Sequence, residues 1–420
     1  MAETNESKKI VEEQKITPWE VQGAKNADGT SAAIDYNKLI EQFGTRPIDN
    51  ELLERFRKVT GKEPHHFLKR GIFFCHRELH VILDRYEKGK PFYLYTGRGP
   101  SADSMHTGHL IPFIFCKWLQ DVFDCPLVIQ LTDDEKFLFK EKLKQEDCLN
   151  MGKQNAKDII SVGFDPKKTF IFSDYEYMGG AFYRNINKIS KCITTSAARA
   201  TFGFTDSDCI GRVHFASIEA APAFSNSFPH IFGTRHDIPC LIPAAIDQDP
   251  YFRLTRDVAK KLKYPKPCTI YSKFFPALQG PGSKMSSSIE NSAILLTDTP
   301  KQIKKKINRY AFSGGQATAE LQAKLGADPE VDVACQYLRF FLEDDAKLKQ
   351  IEDDYRSGKL MTGEVKAICA DVVSELITSI QKRRNEVTDE IVEQFMDFSK
   401  PMEWTFVPKE QPATTPESKQ

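Results

Sequence analysis

The sequence predicts a doubly wound parallel α/β sheet carrying an insertion, followed by an all-α domain, and three observations predict it. The first strong strand, "PFYLYT", passes through a Gly/Pro loop into a long apolar helix, "HLIPFIFCKWLQDVF", which is the opening of an α/β unit. Further apolar strands, "PLVIQLT", "CLIPAAI" and "CTIYSKF", are separated from their neighbours by helices, as parallel strands require. After about residue 289 strand signals stop and helical periods continue.

Taken in order, residues 1–45 form a polar, loosely attached extension around "ITPWEVQG", with Trp19 as a local anchor. The α/β domain spans 46–288. In it "PLVIQLT" runs into "DDEKFLFKEKL", a helix opened by acidic residues at its positive end. An insertion over about 136–235 carries the helical patterns "NAKDIISVGF" and "FYRNINKISKCITTSAARATFGF" and the irregular "APAFSNSFPHIFGTRHD". The α/β pattern returns with "CLIPAAI", the helix "DQDPYFRLTRDVAKKL", the strand "CTIYSKF" and the loop "QGPGSKMSSS". The helical domain covers 289–400. It opens with a capping box in which Thr299 is the N-cap, Pro300 the first helical residue and Gln302 the reciprocal acceptor. The Pro/Thr/Ser-rich segment 401–420 is expected to be partly disordered.

Composition narrows the function. With 420 residues and 40% apolar content the chain can bury two or three cores. No run approaches the roughly 18 apolar residues of a membrane span, and the polar start has neither a signal-peptide nor a transit pattern, so a cytosolic address and no membrane partner are expected. Ten cysteines without a C-x-x-C pair read as buried small hydrophobes, and no metal site is expected. The 58 basic and 58 acidic residues cancel, so a nucleic-acid surface must be a local patch.

Two short motifs carry chemistry. In "TGRGPSADSMHTGHL", His106 and His109 lie one turn apart at a helix entrance, where ring N–H groups and backbone N–H groups can meet a phosphate chain. Gly108 leaves room for a flat base. Alone, the pattern reads equally well as two surface histidines near a helix start. His76 and His80 in "CHRELH" do not have the zinc-hydrolase order and are assigned to packing. The second motif, "KMSSS" at 284–288, sets a lysine and hydroxyls on a Gly/Ser loop that can close on a triphosphate, or simply be a solvated loop.

Paired in this order, with a helical domain behind them, the two motifs have the arrangement of class I aminoacyl-tRNA synthetases. From about Trp19 to Phe406 the chain resembles the eukaryotic and archaeal tryptophanyl-tRNA synthetases, through "PHHFLKRGIFF", "VIQLTDDEK", "GFTDSDCIG", "AIDQDPYFRLTRDVA", "FFPALQG" and "AFSGG" as well as the motifs. The resemblance implies a Rossmann-like catalytic domain with a connective insertion, and an all-α anticodon-binding domain. It implies a cytoplasmic homodimer whose substrates are L-tryptophan, ATP with Mg2+, and tRNA(Trp). Tryptophan is activated to tryptophanyl-adenylate and passed to the terminal ribose of the tRNA.

By the same resemblance His106, Gly108 and His109 form the first ATP signature, Lys284, Met285, Ser286 and Ser288 the second, and Arg98 is a phosphate partner. Catalytic roles fall to His106, His109 and Lys284. Tyr95 and Gln130 face the indole N–H, and Glu135, Lys136, Glu219 and Gln248 surround the amino and carboxylate groups. The segment near Trp19 covers ATP, and the appended helical domain of some animal relatives is expected to be absent. Three positions depart from the family pattern: Ser287 stands where lysine is usual, Glu219 where glutamine is expected, and "AFSGGQAT" lacks an Arg-Asp pair associated with anticodon contact. Basic clusters at Lys301, Lys304, Lys305 and Arg309, and at Lys382, Arg383 and Arg384, are candidate RNA faces. A nucleotidylyltransferase would share the first motif without the second. A tyrosine-specific synthetase and a non-catalytic relative are the nearer alternatives.

Overall fold

The computed structural model describes residues 10–26, 32–285, 291–399 and 401–402. Seven strands make the main sheet: β1 (Arg46–Pro47), β2 (Phe73–Arg77), β3 (Tyr93–Arg98), β4 (Leu127–Leu131), β5 (Thr169–Ser173), β6 (Cys240–Ala245) and β7 (Cys268–Ser272). Their order is β1-β2-β7-β6-β3-β4-β5. From β7 to β5 all neighbours are parallel, and β2 and β1 close one edge antiparallel. The expected doubly wound sheet is therefore present, with an antiparallel edge added.

Alternation along the strands divides the core in two. Tyr93, Tyr95, Val128, Phe170, Phe172, Ile242 and Tyr271 point to one face, while Leu94, Leu127, Ile129, Ile171, Leu241 and Ile270 point to the other. Helices α1 (Thr107–Phe123), α2 (Asp133–Phe139), α3 (Gln145–Ile160), α4 (Gly180–Cys192), α5 (Ile210–Ala220) and α6 (Asp249–Leu262) follow in the chain. The first face is covered by α4, α5 and α6 through Phe182, Ile186, Phe215, Ile218, Phe252 and Val258, and the second by α1 and α3.

The insertion is shorter than the sequence suggests. Within 136–235, "TFIFS" forms β5, paired in parallel with β4. Five fully buried residues carry no alternation to distinguish them from the helices around them, which is why the pattern escaped notice. The antiparallel strand β2, between β1 and β7, comes likewise from "FFCHR". There His76 is buried, accepts the Leu79 N–H at its Nδ1 (3.1 Å), and caps the helix Leu79–Glu87, the packing role expected of it.

The helical part opens as predicted. In α7 (Pro300–Tyr310), Thr299 accepts the Gln302 N–H at 3.3 Å and gives its own N–H to Gln302 Oε1 at 2.8 Å. Helices α8 (Val333–Phe341), α9 (Thr362–Glu386) and α10 (Asp389–Met396) follow, with the helix Ala319–Leu325 before α8 and the helix Asp345–Arg356 between α8 and α9. The described residues of this part share a core with the sheet: one apolar cluster runs from β3, β4 and α1 through Phe275 into α7, α8 and α9. The Phe275 ring lies 4.3 Å from Tyr337 and 4.9 Å from Phe340. Arg383 and Arg384 fasten α9 to Ser161 O and to buried Asp158, so these two members of the second basic cluster hold the fold together. Lys301, Lys304, Lys305 and Arg309 are exposed.

The N-terminal segment is docked rather than loose. Two small antiparallel pairs, Ile10–Glu12 with Lys25–Asn26 and Lys15–Ile16 with Val21–Gln22, carry Trp19 onto the molecule. Its ring stacks on Phe139 at 5.6 Å and meets Phe202, Phe204 and Tyr251. Eight of the ten cysteines are buried, Cys209 is exposed, and all are free. Among the described residues no helix is long and apolar enough to cross a membrane.

Candidate functional site

In an open parallel sheet the crevice lies where crossovers leave adjacent strands in opposite directions, beyond their carboxyl ends. Here that place is between β3 and β6. The chain leaves β3 through α1 toward β4, and leaves β6 through α6 toward β7, on the other side. A cavity of about 300 Å³ opens at this point. Arg98, His106, Gly108, His109 and Met285 line one side of it, and Glu135, Lys136, Glu219 and Gln248 also reach it. Sequence positions from 98 to 285 are thus brought to one crevice.

Arg98 ends β3. Its Nε donates to Asn155 Oδ1 (3.0 Å) and its Nη1 to His109 Nε2 (3.1 Å). Nη2 is enclosed and has no hydrogen-bond partner, and among the described residues no carboxylate pairs with the guanidinium. Burial lowers its pKa to about 10, against the opposing pull of the Glu135 and Asp158 charges. An arginine at that pKa is still protonated near neutrality, so His109 Nε2 must accept, which places the ring proton on Nδ1. In that tautomer Nδ1 cannot also accept the His106 N–H 3.3 Å away, so the two contacts are alternatives between which the ring proton chooses.

The His106 and His109 rings stack with centroids 3.5 Å apart and planes 20° apart. A Cβ on Gly108 would come within 3.2 Å of the His106 ring and 3.3 Å of Phe275 Cβ, so the cavity floor here requires glycine or a small shift. Pro112, four residues on, has no N–H to give the Gly108 carbonyl and also lines the cavity. One expectation needs adjusting: the Thr107 N–H points to Ile294 O (3.0 Å) and not toward a ligand.

That bond belongs to a seam joining the two motifs. Leu296 donates to Met105 O (2.9 Å), His106 bridges Leu295, and Thr107 Oγ1 contacts Met285 Sδ at 3.4 Å. Both chain ends flanking the second motif are therefore fastened to the first. Lys284 ends the strand Gly280–Lys284, where it is paired with Pro276; Ser286 and Ser288 lie outside the described residues.

On the other side, Glu135 and Lys136 come from the first turn of α2 and pair at 2.6 Å, with Thr132 Oγ1 donating to Glu135 Oε2 at 3.1 Å. Gly99 passes beneath them, and a Cβ there would overlap Lys136 Cε at 2.1 Å. Gln248 closes the turn after β6. Glu219, near the end of α5, is 8% exposed, and burial together with the Glu135 and Asp134 charges pushes its carboxyl up to about 8.

Tyr95 and Gln130, expected to face the indole N–H, are not among the residues that line the cavity. Both are fully buried one layer behind it, because their strand positions point into the core under α5. Tyr95 Oη donates to Gln130 Oε1 (2.6 Å) and lies 3.4 Å from Glu219 Oε1, which links them to the cavity wall.

Sequence reasoning passed over Asp247, buried at the wall in "AIDQD", and Asp174, which follows the unrecognised strand β5. A carboxylate just past a strand end was the available signal for each. Asp133, Asp134 and Asp174 form a buried group whose ligand-type oxygens all lie within 4.8 Å of one another. None of them lines the cavity.

The geometry has counterparts in known proteins. The family described as class I tRNA synthetases (W and Y) matches residues 234–378. Over 394 residues the chain is 62% identical to the cytoplasmic tryptophan–tRNA ligase of Schizosaccharomyces pombe, covering 94% of this chain and 100% of the relative. It is 58% identical to the human cytoplasmic tryptophan–tRNA ligase, covering 92% of this chain and 81% of that one. The crystal structure of Plasmodium falciparum tryptophanyl-tRNA synthetase superposes with a TM-score of 0.82 at 47% identity, covering 88% of this chain and 96% of that chain.

Proposed function

The chain belongs to the tryptophan–tRNA ligases, which are class I aminoacyl-tRNA synthetases, and from that premise we propose how its crevice divides the reaction. The enzyme activates tryptophan with ATP and transfers the tryptophanyl group to tRNA(Trp). In the first step the tryptophan carboxylate attacks the α-phosphorus and pyrophosphate leaves. That displacement needs no general base, so the protein contributes position and charge stabilisation.

Arg98, His106 and His109 hold the phosphates, Gly108 faces adenine, and Lys284 closes on the leaving pyrophosphate with Met285, Ser286 and Ser288. Glu135, Lys136, Glu219 and Gln248 take the α-amino and carboxylate groups, and Tyr95 with Gln130 takes the indole N–H. The single observation that carries this reading is the Arg98 guanidinium, enclosed and without a counter-ion, in the same cavity as the buried carboxyl of Glu219. A buried cation costs several kcal/mol until an anion meets it, and a buried acid is poised for an ammonium. The two together match the two ends of an aminoacyl-adenylate.

Mg2+ enters with ATP as part of the substrate. The acidic group Asp133, Asp134 and Asp174 lies behind Gln130 and does not line the cavity, so it would not meet an ion carried by the phosphates. The relatives named cytoplasmic support a cytoplasmic address. A closed pair of identical subunits is the common oligomer, and exposed Tyr183 and Ile210 on the mutually packed α4 and α5 give such a pair apolar surface. The domain division is proposed at 46–288 for catalysis and 289–400 for the anticodon stem, with the segment around Trp19 covering ATP; Pro18 lines the cavity and Trp19 stacks on Phe139 beside it.

ATP–pyrophosphate exchange, run across the amino acids, tests the activity: tryptophan supports it and tyrosine does not. Exchange with tyrosine, or with none, would contradict the reading. Within the same assay Lys284→Ala is expected to slow adenylate formation about 10²-fold with little change in tryptophan affinity, and unchanged turnover would remove Lys284 from the mechanism.

A further inference from the structure

We infer that Asp174 is a positioning residue for substrate specificity: it holds the Gln130 amide with its carbonyl oxygen turned toward Tyr95, whose hydroxyl adjoins Glu219 at the cavity wall, and so lets the site recognise an indole N–H. The inference rests on the reading above that Gln130 faces the indole.

A glutamine amide is nearly symmetric in shape, and only its partners decide which end is the acceptor. Tyr95 does not decide it, because a phenol can donate to the oxygen or accept from the nitrogen. Asp174 does. Gln130 Nε2 lies 2.9 Å from Asp174 Oδ1 and 3.0 Å from Oδ2, so both carboxyl oxygens face the NH2 group. Turning the amide over would set oxygen against oxygen. Held this way, Gln130 Oε1 receives the Tyr95 hydroxyl at 2.6 Å with one lone pair and keeps the second for a ligand donor.

The sheet makes this arrangement rigid. Leu131 is in register with Ser173 across the parallel pair β4 and β5, so Asp174 falls just past the end of the strand that carries Gln130. Asp174 is fully buried, and Asp134 and Asp133 beside it, together with burial, hold its proton well beyond the usual carboxylate range. A proton on Asp174 is directed to Asp134 and leaves an oxygen free to accept from Gln130. Three carboxyls buried behind a glutamine are costly, and an apolar residue would fill the space at lower cost. Orientation of the amide is what the apolar residue would not supply.

The experiment compares tryptophan with its 3-benzothienyl analogue, in which sulfur replaces the N–H, by kcat/KM in pyrophosphate exchange. Asp174→Leu fills the space but offers no acceptor, so the amide loses its preference; Asp174→Ala removes the partner. Both are expected to lower the tryptophan-to-analogue ratio about tenfold, through the KM for tryptophan, while the KM for ATP stays within about twofold. Because the ratio is internal to one preparation, a partly unfolded sample does not change it. Equal losses on both substrates, which a purely structural role would give, overturn the inference. Gln130→Met separates the two readings. If it collapses the ratio while the Asp174 variants do not, Asp174 is not the positioning residue. If Gln130→Met itself leaves the ratio unchanged, Gln130 does not read the indole and the inference falls with that assignment.

Discussion

Replacing Arg98 with methionine is expected to cut pyrophosphate exchange about 10³-fold without lowering the melting temperature of the ligand-free enzyme. The reasoning starts from what the guanidinium lacks. Nε and Nη1 are engaged by Asn155 and His109, while Nη2 is enclosed with no partner and, among the described residues, no carboxylate within ion-pair distance. In the empty enzyme this charge is a liability, visible in the pKa of about 10 that burial imposes on it. Its removal therefore offsets the two lost hydrogen bonds, since replacing a buried charge by a packed apolar group is often neutral or stabilising. In the ATP complex the same charge meets a phosphate. A large fall in melting temperature alongside intact exchange would mean that Arg98 is structural. The paired readout, thermal melts with and without ATP, distinguishes the cases.

Glu219→Gln is expected to stabilise the ligand-free protein, by an amount that grows with pH. Burial raises the carboxyl from its ordinary 4.5 to about 8. Below pH 4.5 the group is protonated whether the chain is folded or not, and contributes nothing. Between 4.5 and about 8 the unfolded chain releases this proton while the folded one keeps it, so stability falls as pH rises; above 8 the loss is complete. A glutamine has no such proton. The variant should match the parent near pH 4.5 and exceed it by roughly 3 kcal/mol at pH 7, measured as the difference in unfolding free energy across a pH series. A gap that is independent of pH would show that the carboxyl is not held neutral. The same variant should bind tryptophan more weakly while leaving the deaminated analogue indole-3-propionate unaffected, because only tryptophan brings an ammonium to ionise the acid. Equal weakening of both would remove Glu219 from ammonium binding.

Much of this site could be read from the sequence because its chemistry is concentrated at strand ends and helix starts. "TGRGPSADSMHTGHL" and "KMSSS" lie beyond β3 and β7, and the loop between strand and helix fixes where Arg98, His106 and His109 must stand. The parallel strands β3, β4, β6 and β7 were legible for the same reason, being bounded by Gly, Pro and acidic residues. What escaped was set by tertiary pairing. "TFIFS" becomes β5 only by docking on β4, and with it Asp174 acquires its place behind Gln130. Tyr95 and Gln130 could be named, but their retreat one layer behind the cavity depends on which strand face α5 covers. The seam from Met105 and Thr107 to Ile294 and Leu296 joins residues nearly two hundred positions apart, and no local pattern marks it. The helical segments after residue 289 were correctly typed, yet their shared core with the sheet through Phe275 follows from packing alone.

The central claim is that one crevice at the meeting of β3 and β6 holds the phosphate end of the reaction against Arg98, His106 and His109, and the amino-acid end against Glu219, Tyr95 and Gln130. The position of a bound, non-hydrolysable tryptophanyl-adenylate in a crystal of the enzyme tests it most directly. The account predicts the phosphate within hydrogen-bonding distance of Arg98 Nη2, the ammonium on Glu219, and the indole N–H at Gln130 Oε1. A phosphate bound away from Arg98, or an indole turned away from Gln130, would contradict it.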